Sequence, residues 1–180
     1  MKKRFCFIFC MLMLVLLFDG RNMAIASSNQ TKDRQDDPSR FENLIDLAEK
    51  TSITNPEQAL EYAEEALSIG DRIQDRKMIA RAQMMLASVN FDAQNYSKSI
   101  EYCKLCAPFF ERSNDVASLA ALYNIFSISY FYLGNVEMSD MYSDKSIDLA
   151  EKHRILDVLF KQYYNRGAFS FYRGDHFSSM

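Results

Sequence analysis

Between residues 119 and 130, Leu119, Leu122, Ile125, Phe126, Ser129 and Tyr130 follow one another at steps of three and four. That is the stripe of an amphipathic helix. Gly134-Asn135 breaks it, and Met138, Tyr142, Ile147 and Leu149 mark a second helix. The pair is one copy of a repeated unit. Asn55-Pro56-Glu57-Gln58-Ala59-Leu60-Glu61-Tyr62 returns as Asn95-Tyr96-Ser97-Lys98-Ser99-Ile100-Glu101-Tyr102, and more weakly as Asn135-Val136-Glu137-Met138-Ser139-Asp140-Met141-Tyr142. A fourth start stands at Asp175-His176-Phe177-Ser178-Ser179. Ala59, Ser99, Ser139 and Ser179 keep a spacing of 40, as do Tyr62, Tyr102 and Tyr142, and Ala66, Cys106 and Ser146. Self-similarity at a fixed period predicts a solenoid of stacked supersecondary units.

The punctuation agrees with this parse. Asn55-Pro56 reads as an N-cap with proline in the first helical position, and Asn114-Asp115 as a cap between repeats two and three. Pro108 is expected to end or kink its helix before Phe109. Small side chains at Ala59, Ser99 and Ser139 let paired helices approach closely, and Ala87, Cys106, Ser127 and Gly167 are expected to do the same at neighbouring contacts.

The beginning of the chain departs from the pattern. Met1-Lys2-Lys3-Arg4 is a basic start to an apolar run from Phe5 to Phe18, too short for a span of about 20 apolar residues and suited to a signal-peptide core. Ala24-Ile25-Ala26 supplies a small-x-small site, so cleavage is expected after Ala26 and the mature chain is expected outside the cytoplasm, periplasmic or extracellular. The alternative is an uncleaved membrane anchor. The domains are then a signal peptide (1–26), a flexible tether (27–38) and an array (39–180), with repeats at about 39–77, 78–117 and 118–157 and a half repeat at 158–180.

Composition sharpens the picture. Five Gly and three Pro in 180 residues are too few for an all-β fold. Hydrophobic content of 48% opposes disorder. The formal charge of -3 includes four bases and one acid of the leader, so the exported portion is more acidic still. It offers no footprint for nucleic acid.

The sequence Tyr123-x-x-Phe126-Ser127-x-x-Tyr130, followed by Leu133-Gly134-Asn135 and Ser139, resembles the tetratricopeptide repeat family, whose pattern it follows with conservative swaps. Tyr163…Gly167…Phe171-Tyr172-Arg173-Gly174-Asp175 repeats the second half of that pattern. The period of 40 exceeds the usual length of about 34, and the family's late-repeat proline is missing. The resemblance covers about residues 39 to 180. It implies an all-α, right-handed superhelical solenoid of about three and a half helix pairs. Long repeats of this kind are similar to those of bacterial regulatory and sensor proteins, in which an exported array precedes a membrane helix and a cytoplasmic signalling domain.

The resemblance further implies a non-catalytic interaction module of signal transduction, holding a peptide or partner segment in a concave groove. Transferred to matching positions, the groove lining is Arg81, Met84, Ser88, Phe91 and Asp92 from repeat two, and Asn124, Ile128, Phe131 and Tyr132 from repeat three. Repeat four supplies Lys161, Tyr164, Phe171 and Tyr172. The other use open to these side chains is packing between repeats. Only Arg81, Asn124 and Lys161 suit the family's carboxylate clamp, too few to assign it.

Other candidate chemistry is sparse. Cys103-Lys104-Leu105-Cys106 is a C-x-x-C, giving the alternative of a thiol-redox or chaperone-like factor. Its position well inside a helix, at registers held by Ala63 and Ala66 or Ser143 and Ser146 elsewhere, suits small buried fillers instead. His153 reads as a helix C-terminal complement to the dipole, and His176 lacks a second ligand at metal spacing. The run Glu61…Glu64-Glu65 reads as a solvated helix face. No phosphate loop, G-x-S-x-G or H-E-x-x-H occurs, so no enzyme, cofactor or metal is expected. The last helix, with Leu159, Tyr163, Phe169 and Phe171, is expected to lack part of its cover. That suggests the front part of a larger protein, or self-association through this helix; membrane contact is expected only through the leader or a downstream segment.

Overall fold

The structure, a computed structural model, describes residues 37–174. The leader, most of the tether and the fourth start at Asp175, with His176 and Ser179, lie outside the described residues. The chain divides into two units at Arg40 and Phe41. Of the first, residues 37–40 are described and are helical, so 37 and 38, assigned to the tether by sequence, are already helix.

In the second unit the described residues form α1 (41–51), α2 (Pro56–Ile73), α3 (Arg76–Asp92), α4 (Tyr96–Arg112), α5 (Val116–Tyr132), α6 (Val136–His153) and α7 (Leu156–Arg173). No strand occurs among them. From α2 onward each helix packs on the next, and α3 meets α5 as α5 meets α7. The unit is an all-α solenoid in which each helix pair covers its neighbours, as expected where no single pair can bury its own apolar face.

The sequence sets the helix starts by capping. Asn55 and Asn135 accept from the backbone N–H groups of Gln58 (3.3 Å) and Met138 (3.1 Å). Asp75 accepts from Lys77 and Met78, and Asp115 from Ser118. Each satisfies a donor the helix leaves unpaired. Asn95 holds the same position without a side-chain bond.

The small residues lie at the helix contacts. Ala59, Ser99 and Ser139 are buried, as are Ala66, Cys106 and Ser146. Two of the serines bond across the interface: Ser99 Oγ lies 3.1 Å from Ser129 Oγ, and Ser146 donates to the carbonyl of Ala120 at 2.7 Å. At Gly70 the approach of α2 to α3 is so close that a Cβ would stand 3.0 Å from the Ile79 nitrogen. The repeated tyrosine fills the adjoining space, where Tyr142 stacks on Phe126 at 4.4 Å and 10°.

α5 is the centre of the row. Ala120, Leu122, Tyr123, Ile125, Phe126, Ser127 and Ser129 bury more than one face of it, so it is apolar nearly all round rather than striped, as suits a helix enclosed by α3, α4, α6 and α7.

Three expectations are corrected. Pro108 does not end α4, which runs on to Arg112. The missing N–H and ring clash cost about 3 kcal/mol in a helix interior, a cost offset by burial of Phe110, which is 1% exposed. Gly167 makes no close contact: a Cβ there would meet nothing within 4 Å, because it faces away from α5 and α6. Phe169 is not short of cover. It is buried and stacks on Phe131 with ring centroids 3.7 Å apart, since it points back into the row.

Candidate functional site

The first helices of successive pairs stand side by side, and their i, i+4, i+7 stripes open onto one cleft of about 640 Å³. Met84, Ser88 and Phe91 come from α3, Asn124 and Ile128 from α5, and Asp157, Lys161 and Tyr164 from α7. Glu49, Ser52 and Ile53, at the end of α1 and just beyond it, close one side. Met85, Ile125 and Val158 add apolar wall, and Phe160 and Tyr164 stand 73% and 70% exposed at the edge. Asn165 Nδ2 donates to Asn124 Oδ1 at 3.0 Å, tying α7 to α5 along the cleft.

The cleft carries an uneven charge. Glu49, Asp92 and Asp157 line it against the single ammonium of Lys161. Among the described residues none of the four has an oppositely charged group within ion-pair distance. Burial raises the pKa of Asp92, and the Ser52 hydroxyl in the same cleft donates to the Glu49 carbonyl at 3.1 Å.

The cleft thus brings together Met84, Ser88, Phe91, Asp92, Asn124, Ile128, Lys161 and Tyr164 of the residues expected to line a groove. The rest stand elsewhere. Arg81 forms a two-pronged pair with Glu42, with Nη2 to Oε2 at 2.8 Å and Nη1 on Oε1, and its guanidinium lies 5.2 Å from the Phe41 ring centroid. That hydrogen bond lowers the Glu42 pKa and raises that of Arg81. Phe131 is engaged with Phe169, and Tyr132 stacks on Tyr96 at 4.8 Å and 8°. Tyr172 reaches Phe131 at 6.5 Å while remaining 75% exposed, and Phe171 is 68% exposed. These rings form a band joining the ends of α3, α5 and α7, with Phe91 bridging it to the cleft at 5.9 Å from Tyr132.

Sequence reasoning missed Glu49, Ser52 and Ile53, because the end of α1 enters only through tertiary packing. It missed Asp157, Phe160 and Asn165 for a different reason: they share the Lys161 and Tyr164 stripe, and helical spacing alone could have found them.

Cys103 and Cys106 are free and fully buried in the cluster that holds Phe110, Leu122 and Phe126. Burial pushes the Cys106 thiol up to about 12 and that of Cys103 well above its ordinary value. Cys106 Sγ donates to the Cys103 carbonyl at 3.5 Å. This environment suppresses the thiolate on which exchange chemistry depends. His153 stands in the last turn of α6, near its carbonyl end. Among the described residues no group of three or more His, Cys, Asp or Glu is placed to hold a metal ion, and no helix is long and apolar enough to cross a membrane.

A second, shallower cavity of about 410 Å³ lies between the N-terminal half of α3 and the C-terminal half of α4, with Arg76 and Arg112 beside Leu105 and Pro108.

No protein-family model and no curated protein sequence matches the chain. Among solved structures it is similar to the crystal structure of the TPR domain of Arabidopsis FLU, at 17% sequence identity and a TM-score of 0.59. The match covers 64% of this chain and 98% of that one. The likeness establishes the fold: the helix pairs are tetratricopeptide-like.

Proposed function

We propose that this chain is a non-catalytic protein-interaction or sensing module, acting outside the cytoplasm, that holds a peptide or partner segment in the cleft formed by α3, α5 and α7. The observation that carries the reading is the cleft itself. Its volume of about 640 Å³ lies in the range of sites that enclose a ligand rather than skim it. Its walls combine apolar side chains with a few polar groups, the composition that gives area and orientation together. Export rests on the basic start, short apolar run and Ala24-Ile25-Ala26 of the leader.

Selection of peptides from a displayed library on the protein tests the cleft. Binders are expected to lose affinity for Ile128→Asn and for Ser88→Trp, two cleft changes of opposite kind, at unchanged helicity. Binders that hold both variants as tightly as the wild type would place recognition elsewhere. For export, the mass of the secreted product is expected to begin at Ser27.

A further inference from the structure

Three features of the cleft define what can occupy it, given that it is the binding surface. The first is charge. Glu49, Asp92 and Asp157 outnumber Lys161, and none is neutralised by a neighbouring side chain among the described residues. An anionic ligand entering between them would meet repulsion, screened by solvent at the exposed Glu49 and Asp157 and less so at the half-buried Asp92. A cation would meet attraction. The second is the state of Asp92. Its carboxylate is half-buried, and the Ser52 hydroxyl beside it in the cleft donates to the Glu49 carbonyl at 3.1 Å. A carboxylate withdrawn from water without a cation costs the free protein stability, and a charge-assisted bond to an incoming ammonium or guanidinium recovers it.

The third is the floor. Met84 and Met85 are flexible and polarizable and fit apolar groups of differing shape. Ile125, Ile128 and the exposed ring of Phe160 extend that apolar surface. Beside it, the bond between Asn165 Nδ2 and Asn124 Oδ1 leaves the NH2 group of Asn124 to donate and the carbonyl oxygen of Asn165 to accept. That donor and acceptor match the C=O and N–H of a peptide backbone.

We propose that the occupant is a cationic amphipathic segment of a partner protein, with apolar side chains on Met84, Met85 and Ile128 and a lysine or arginine against Asp92. The apolar contacts supply area. The carboxylates set the sign of the partner, and a polyanion such as nucleic acid is turned away.

The test uses the full chain and two fluorescein-labelled synthetic peptides of one length and pattern, one alternating leucine with lysine and the other leucine with glutamate. Anisotropy titration is expected to show the lysine peptide binding at least tenfold more tightly than the glutamate peptide. Asp92→Asn is expected to weaken the lysine peptide roughly tenfold, the loss of one charge-assisted bond. Glu61→Gln, on the exposed face of α2, controls for the overall negative charge and is expected to change nothing. An equal effect of Glu61→Gln and Asp92→Asn overturns the proposal, because the attraction is then unspecific. So does tight binding of the glutamate peptide, or no binding of the lysine peptide at about 100 μM, an affinity too weak for recognition. If Ile128→Asn and Ser88→Trp abolish binding but Asp92→Asn does not, the cleft reading stands and the cationic partner falls. If the two cleft variants bind like the wild type, the cleft reading falls with it.

Discussion

At the scale of single residues, what decides a side chain's role is its surroundings rather than its type. Cys103 and Cys106 have the spacing of a redox pair but sit at the contact between α4 and α5, where α2 and α6 carry alanine or serine. With the Cys106 thiol at about 12, native protein at pH 8 is expected to keep both thiols unmodified by iodoacetamide while urea-unfolded chain reacts fully, as read by peptide mapping. Rapid native alkylation would revive the redox reading. Arg81 shows the opposite case, a residue that the family resemblance assigns to the groove and that structure pairs with Glu42. Because Arg81 lowers the Glu42 pKa, the pair stabilises the fold above the ordinary carboxylate range and loses this as pH falls through the lowered value. Glu42 is 55% exposed, so the effect is about half a kcal/mol. The gap in thermal midpoint between wild type and Glu42→Gln is expected at neutral pH and to close as pH falls through the lowered Glu42 value; a gap that persists in strong acid would assign the stabilisation to packing.

At the scale of elements, the links between helices of a pair show how much backbone chemistry the sequence carries. Gly134 and Gly174 both sit at φ 77°, in the left-handed region that glycine enters without strain. The equivalent position after α3 holds Gln94 at φ 61°, where a Cβ costs about 1 kcal/mol or more. Gln94→Gly is therefore expected to raise unfolding stability by up to about 1 kcal/mol, and Gly134→Gln to lower it by a similar amount. Urea midpoints measure both, and a destabilised Gln94→Gly would show that the glutamine side chain outweighs its backbone strain. A hydrogen bond repeats in the same manner, from Tyr123 to Glu111 at 3.3 Å and from Tyr163 to Glu151 at 2.7 Å. These turns and caps were legible as Gly-Asn, Asn-Pro and Asn-Asp pairs. The passage of α4 through Pro108 was not, because the burial of Phe110 that offsets it depends on neighbours from another repeat.

At the scale of the whole molecule, each helix is held by the helices beside it, and of α2 to α7 the last has the least of this among the described residues. Only Val158, Gln162 and Phe169 of α7 are buried. The stack of Phe169 on Phe131 is accordingly a principal tie of α7 to α5. Phe131→Ala is expected to cost about 2 kcal/mol and to raise hydrogen exchange in α7 while leaving α2 and α3 protected. Uniform loss of protection along the row would show a single cooperative unit instead. The same stack means that replacing Phe131 and Tyr132 perturbs packing, which is why Asp92, Ser88 and Ile128 are the better probes of the cleft.

The chain's own pattern determined that it is helical, that its helices come in pairs and where each begins, because periodicity, caps and glycines act within a few residues. The tetratricopeptide-like fold was legible as a resemblance, carried by Tyr123, Phe126, Ser127, Tyr130 and Gly134. Tertiary structure alone decided which of two similar rings faces the cleft and which stitches the repeats. It brought Glu49 and Ser52 to Asp92 across more than one helix, and left those carboxylates without a cation. Spacing along a helix fixes a side chain's direction, but its partners come from segments about forty residues away, and only packing brings them into contact.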